Sequence, residues 1–98
     1  MRAATQNRVT LDPEEKEVAE IMRALDSQKP PHVKKYRVEI GEDHTGDPAL
    51  WIYLGVTKDN SPSRQKVVAL RKFADEVERQ VLAKKLSRWP YVRIEEVR

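Results

Sequence analysis

The stretch from Val33 to Thr57 leaves the chain few choices. Tyr36, Val38 and Ile40 alternate with Lys35, Arg37 and Glu39. A period of two with one apolar and one charged side reads as a half-buried strand. Beyond Gly41-Glu42-Asp43-His44-Thr45-Gly46-Asp47-Pro48, a second run places Leu50, Ile52, Leu54 and Val56 on one side and Trp51 and Tyr53 on the other. A strand apolar on both sides belongs in the middle of a sheet, or under cover on both faces. The segment between the runs has the chemistry of a hairpin turn. Its aspartates bond nearby backbone amides, and Gly46 tolerates a positive φ. An antiparallel hairpin is the frame to which the rest must attach.

Helices are expected on either side of it. Asp12-Pro13-Glu14-Glu15 is a helix start, with Asp12 as cap, Pro13 in the first helical position and Glu15 at capping-box spacing. Val18, Ile21, Met22 and Leu25 then form one apolar stripe, and Lys29-Pro30-Pro31 stops the helix near Ser27. A second helix is expected from about Pro62 to Leu86, capped by Ser61, with Val67, Leu70, Ala74, Val77 and Val81 as its stripe and Phe73, Leu82 and Leu86 in support. At that length it spans roughly 37 Å, longer than a small sheet needs. Ser87-Arg88-Trp89-Pro90 breaks it, with Trp89 expected under the helix end as a lid on the core. Tyr91 to Val97 makes a third strand, with Val92 and Ile94 inward and Tyr91, Arg93 and Glu95 outward.

The order is thus α-β-β-α-β, and the fold class is α+β. We expect a two-layer sandwich of a three-stranded sheet with both helices on one face, reached by a right-handed crossover. Residues 1–10 show no apolar period and read as a tail, and 11–98 as one domain. A chain of 98 residues has room for one core, and with no cysteine it has neither a disulfide framework nor a thiol nucleophile. The first residues lack the apolar run of a signal peptide, and no segment approaches a membrane span. A cytoplasmic, non-membrane protein is the expectation.

Two places carry potential chemistry. The uncovered sheet face gathers Arg37, Trp51, Tyr53, Tyr91 and Arg93, with Lys35, Glu39 and Glu95. Such a mixture suits a protein interface, which favours Trp, Tyr and Arg. It also suits base stacking in single-stranded nucleic acid. Outward carboxylates dilute the second reading, and the balance of 19 basic against 16 acidic residues shows no dominant basic block. The Lys84, Lys85, Arg88 end of the long helix is a further phosphate-contacting candidate, against the plainer reading of a solvated face with intrahelical ion pairs. The second place is the turn, where Glu42, Asp43, His44 and Asp47 offer oxygen and imidazole donors. The other histidine, His32, lies at the far end of the first strand, so turn chemistry is the reading preferred over metal or a His44–Asp47 hydrolytic pair. No nucleophile elbow, phosphate loop or zinc-helix motif is present. No cofactor is expected.

The segment Val38 to Leu54, strand, acidic loop, Gly-Asp-Pro-Ala, aromatic strand, resembles a pattern in small uncharacterised bacterial proteins, and Arg88-Trp89-Pro90-Tyr91-Val92-Arg93 resembles their closing strand. Such proteins are often encoded in two-gene, toxin–antitoxin-like modules. The resemblance implies a partner-binding role and transfers no functional residue. The element order is also similar to the dimerising cytoplasmic domain of cation-diffusion transporters, whose paired metal histidines are missing here. Together these features predict a non-enzymatic interaction protein that forms a homodimer or binds a protein partner through the aromatic face. The alternatives are binding of single-stranded RNA or DNA there, or a metal-dependent hydrolase subunit.

Overall fold

The computed structural model describes residues 13–59 and 61–97. The expected cap at Asp12 and the tail, with Arg2 and Arg8, lie outside the described residues. The elements are helix α1 (Pro13–Ala24), a 3-10 turn (Asp26–Gln28), strand β1 (Val33–Glu42), strand β2 (Pro48–Thr57), helix α2 (Arg64–Ala83) and strand β3 (Trp89–Val97). They form an α+β sandwich with both helices on one side of a three-stranded mixed sheet.

The sheet order is β1-β2-β3. β1 and β2 pair antiparallel, with Val38 opposite Ile52, while β3 runs parallel to β2, with Val92 opposite Ile52. The two-sided apolar strand is therefore the central one. Leu50, Ile52 and Leu54 are fully buried, with Val56 nearly so, in one cluster with Val18, Ile21, Met22 and Leu25 of the first helical segment and Phe73, Val77 and Val81 of α2. Each fully buried Leu, Ile or Val contributes about 1.5–3 kcal/mol relative to an exposed one. This cluster is the principal source of stability.

Several local expectations are corrected. The cap of α2 is Ser63 and not Ser61: its hydroxyl oxygen accepts from the Lys66 amide at 3.1 Å. The Ser61 amide is already held by Asp59 Oδ1 at 3.0 Å, which keeps the chain in a turn past Pro62. The helix also ends earlier, at Ala83, where Lys85 takes the left-handed conformation at φ 55°. Leu82, expected in support of the core stripe, is exposed because it lies one position round the helix from the buried Val81, and Val67, at the head of the stripe, is exposed because the first turns of α2 run past the core. Ile94, at an inward-facing position, is 44% exposed for the same reason: α2 has diverged from the end of β3.

Trp89 is not a lid on the core. β3 begins at Trp89, in register with Ala49, and the inward place beside Leu50 falls to the buried Pro90. Alternation then turns Trp89 to the uncovered face, where it is 57% exposed.

Candidate functional site

Register places the outward residues in rows across the sheet. Glu39, Trp51 and Tyr91 share one row, Arg37, Tyr53 and Arg93 the next, and Lys35, Gly55 and Glu95 a third. Gly41, Ala49 and Trp89 make the row nearest the turn. The five residues expected on the face, Arg37, Trp51, Tyr53, Tyr91 and Arg93, are on it together. Both tryptophans of the chain are there too. The alternation of β3 held the signal for Trp89, had the strand been extended two residues toward the helix.

The aromatic residues form an ordered assembly. The Trp51 and Tyr91 rings stack with centroids 4.6 Å apart and planes at 21°. Offset stacking of this kind adds about 0.5–1.5 kcal/mol beyond burial. The Arg93 guanidinium lies 5.3 Å from the Trp51 centroid and 5.5 Å from that of Tyr91. Arg37 lies over the Tyr53 ring at 3.9 Å. It then crosses the central strand to Glu95, with Nε to Oε2 at 2.9 Å and Nη2 to Oε1 at 3.0 Å, and also donates to Glu39. Gly55 lets the Val97 and Lys35 side chains close over the central strand. A Cβ there would sit 2.9 Å from Val97 Cγ1 and 3.1 Å from Lys35 Cγ. Hydrogen bonds to Glu95 first, then to Glu39, raise the Arg37 pKa above its ordinary value, and Arg37 in turn lowers that of Glu95.

The acidic turn and the aromatic face are one structure. Asp43 N donates to Asp47 O at 2.9 Å, and Gly46 N donates to Asp43 O at 3.0 Å with Gly46 at φ 88°. This is a short hairpin loop closed by a left-handed glycine, as its composition predicts. Asp43 Oδ1 accepts from the Thr45 amide, the Thr45 hydroxyl and the Asp47 amide at 2.9, 2.7 and 3.0 Å. Its other oxygen accepts from the Tyr91 hydroxyl at 3.0 Å, while Trp51 Nε1 donates to Glu42 O at 3.3 Å. The stacked pair thus holds the turn by its polar ends. The Thr45 hydroxyl bond is the largest cause that keeps the Asp43 carboxyl below the usual carboxylate range, and the bond to Asp43 raises the Tyr91 phenol. This link escaped sequence reading, because nothing in a single chain marks residues 48 positions apart as neighbours.

His44 is exposed at the turn. Among the described residues no three His, Asp or Glu side chains converge to hold a metal ion. Asp43 and Asp47 are engaged with Thr45, and Asp43 also with the Thr45 and Asp47 amides.

The basic end of α2 is likewise engaged. Lys84 pairs with Glu17 at 3.2 Å, and Arg88 pairs with Glu14 at 3.4 Å and donates to Gly41 O at 2.8 Å. Glu14 Oε2 also accepts from the Ser87 amide and hydroxyl, at 2.6 and 2.7 Å. Lys84 and Arg88 thus join helix and strand ends. No described helix is long and apolar enough to cross a membrane. Comparison with known protein families, with characterised proteins and with solved structures gives no match.

Proposed function

We propose that this is a non-enzymatic interaction domain that recognises a protein partner through the open sheet face. The observation that carries this reading is Trp89: a large aromatic 57% exposed, in the row next to the stacked Trp51–Tyr91 pair. Exposed aromatic surface on a fixed scaffold is what interface anchors look like. The anchors are pre-ordered by Asp43, Arg37 and Arg93, so less freedom is lost on binding.

The charge on the face favours protein over nucleic acid. Lys35, Arg37 and Arg93 are outnumbered by Glu39, Glu95, Asp43 and Asp47 on the face and its turn, and Arg37 already serves two carboxylates. A polyanion meets little uncompensated positive charge there. One face of the Trp51 ring is also taken by Tyr91, which reduces its use for base stacking. A partner with exposed basic groups fits the acidic turn. The resemblance to proteins of two-gene modules supports the same reading and names the first candidate, the product of the neighbouring gene, with this chain in the antitoxin-like role.

The test is co-purification of that gene product with the wild type and with Trp89→Ala. Capture by the wild type and loss with Trp89→Ala, at unchanged circular dichroism, is the expected result. Equal capture by both proteins would overturn the reading, as would salt-sensitive retention of an oligonucleotide by the wild type with no protein captured.

A further inference from the structure

The sheet has two free edges, and they are built differently. The β1 edge is interrupted by a register irregularity between Val33 and Lys35, carries Lys34 and Lys35, and has Arg37 and Glu39 paired within the chain. Bulges and lysines are the usual means of keeping an edge from pairing with another chain. β3 has neither. Its nine residues, Trp89–Val97, pair with β2 without a break in register and contain no lysine. Its own protections lie toward its ends: Pro90, a mark of an edge strand, precedes the segment 91–97, and Glu96 is its one charge at an inward position. Beside its far half lies a groove of about 490 Å³ with an apolar floor of Val56, Val67, Leu70 and Ile94 and a charged rim that includes Lys66 and Glu96. Val67 and Ile94 are 46% and 44% exposed.

The sequence of this edge is complementary to itself. When Tyr91-Val92-Arg93-Ile94-Glu95-Glu96-Val97 is laid antiparallel on a second copy with the two-fold axis at Ile94, Arg93 falls opposite Glu95 on both sides of the axis. Ile94 meets Ile94, Tyr91 meets Val97, and the one mismatched pair is Val92 with Glu96. Opposed charges and aromatic–β-branched pairs are the favourable cross-strand combinations. Arg93 has no carboxylate within ion-pair distance among the described residues, whereas Arg37 at the other edge has two.

We infer that two copies of this chain associate through their β3 edges, in antiparallel register about Ile94, to give one continuous six-stranded sheet. The axis stands perpendicular to the sheet, so both aromatic faces look the same way and stay uncovered. On the other side Ile94 is shielded by its twin, with Val67 of each α2 beside it. The inference shares Tyr91 and Arg93 with the face of the partner reading but not Trp89, which lies outside the paired segment and separates the two tests.

The test is solution mass by size exclusion with light scattering over a range of concentrations. The wild type is expected to have the mass of two chains. Arg93→Glu alone, or Glu95→Arg alone, sets like charges opposite each other twice, and each variant is expected to be monomeric. Mixed in equal amounts, the two variants are expected to form a heterodimer, because each reversed residue then meets its complement. Ile94→Lys, at an exposed position, provides a second means of breaking the dimer if Glu95→Arg, which also loses Arg37, fails to fold. Trp89→Ala is expected to leave the dimer intact. A wild type that is monomeric throughout would overturn the inference. So would a dimer that survives Arg93→Glu and Ile94→Lys, a mixture that does not reassociate although both variants are folded, or a dimer lost with Trp89→Ala.

Discussion

Tyr91 and Asp43 share one hydrogen bond whose contribution to stability is lost at opposite ends of the pH scale for the two partners. Asp43 lies below the ordinary carboxylate range in the folded state, chiefly through the Thr45 hydroxyl. Its contribution is therefore present above the unfolded value near 3.8 and is lost as pH falls through the folded one. Tyr91 lies above the ordinary 10.0, chiefly through Asp43. Its contribution is present below 10.0 and is lost as pH rises through the folded value. Between these limits the turn is fastened to the sheet. A tyrosinate absorbance titration of the wild type is expected to show one component above the ordinary phenol range. Tyr91→Phe removes that component, and Asp43→Asn brings it down. If the high component survived in Tyr91→Phe, another tyrosine would have to carry it.

The elements differ in how completely the core encloses them. β2 is covered on its inward side along its length, whereas α2 is enclosed on one side only, from Phe73 to Val81, with its first turns uncovered. Ile52→Ala, at a fully buried central position, is expected to cost about 3–5 kcal/mol by urea denaturation. Leu82→Ala, on an exposed part of α2, is expected to cost less than about 1 kcal/mol. Equal losses would show that the helix end is more enclosed than the fold implies. This contrast also marks what the sequence made legible. The period of two in β1 and β2 is set by backbone geometry, so their facing and the outward row of Arg37, Trp51 and Tyr53 could be read directly. The 3-4 spacing from Val67 to Val81 says which side of a helix is apolar. It does not say where the sheet beneath it ends. Trp89 was misplaced because a Trp-Pro step closes a helix and opens a strand equally well. The fastening of Asp43 by Tyr91 depends on β3 lying beside β2, and strand order is not written in local periodicity.

For the whole molecule, the parallel β2–β3 pairing means that the closing strand reaches its place only after α2 has crossed the sheet. A further long-range tie is Glu14, at the start of α1, which holds Ser87, 73 positions along the chain, and Arg88 beside it, ahead of β3. In hydrogen-exchange terms, that tie sets the size of the cooperative unit. A short terminal helix would ordinarily open by itself, at a fraction of the global free energy. Here the release of α1 also frees the start of β3, so amides in the middle of α1 and in the first half of β3 are expected to exchange at matching rates. Glu14→Ala is expected to separate the two, with α1 exchanging faster while β3 holds. If α1 already exchanged faster in the wild type, the helix would be a separable appendage. If the rates match, the two ends of this small fold open as one.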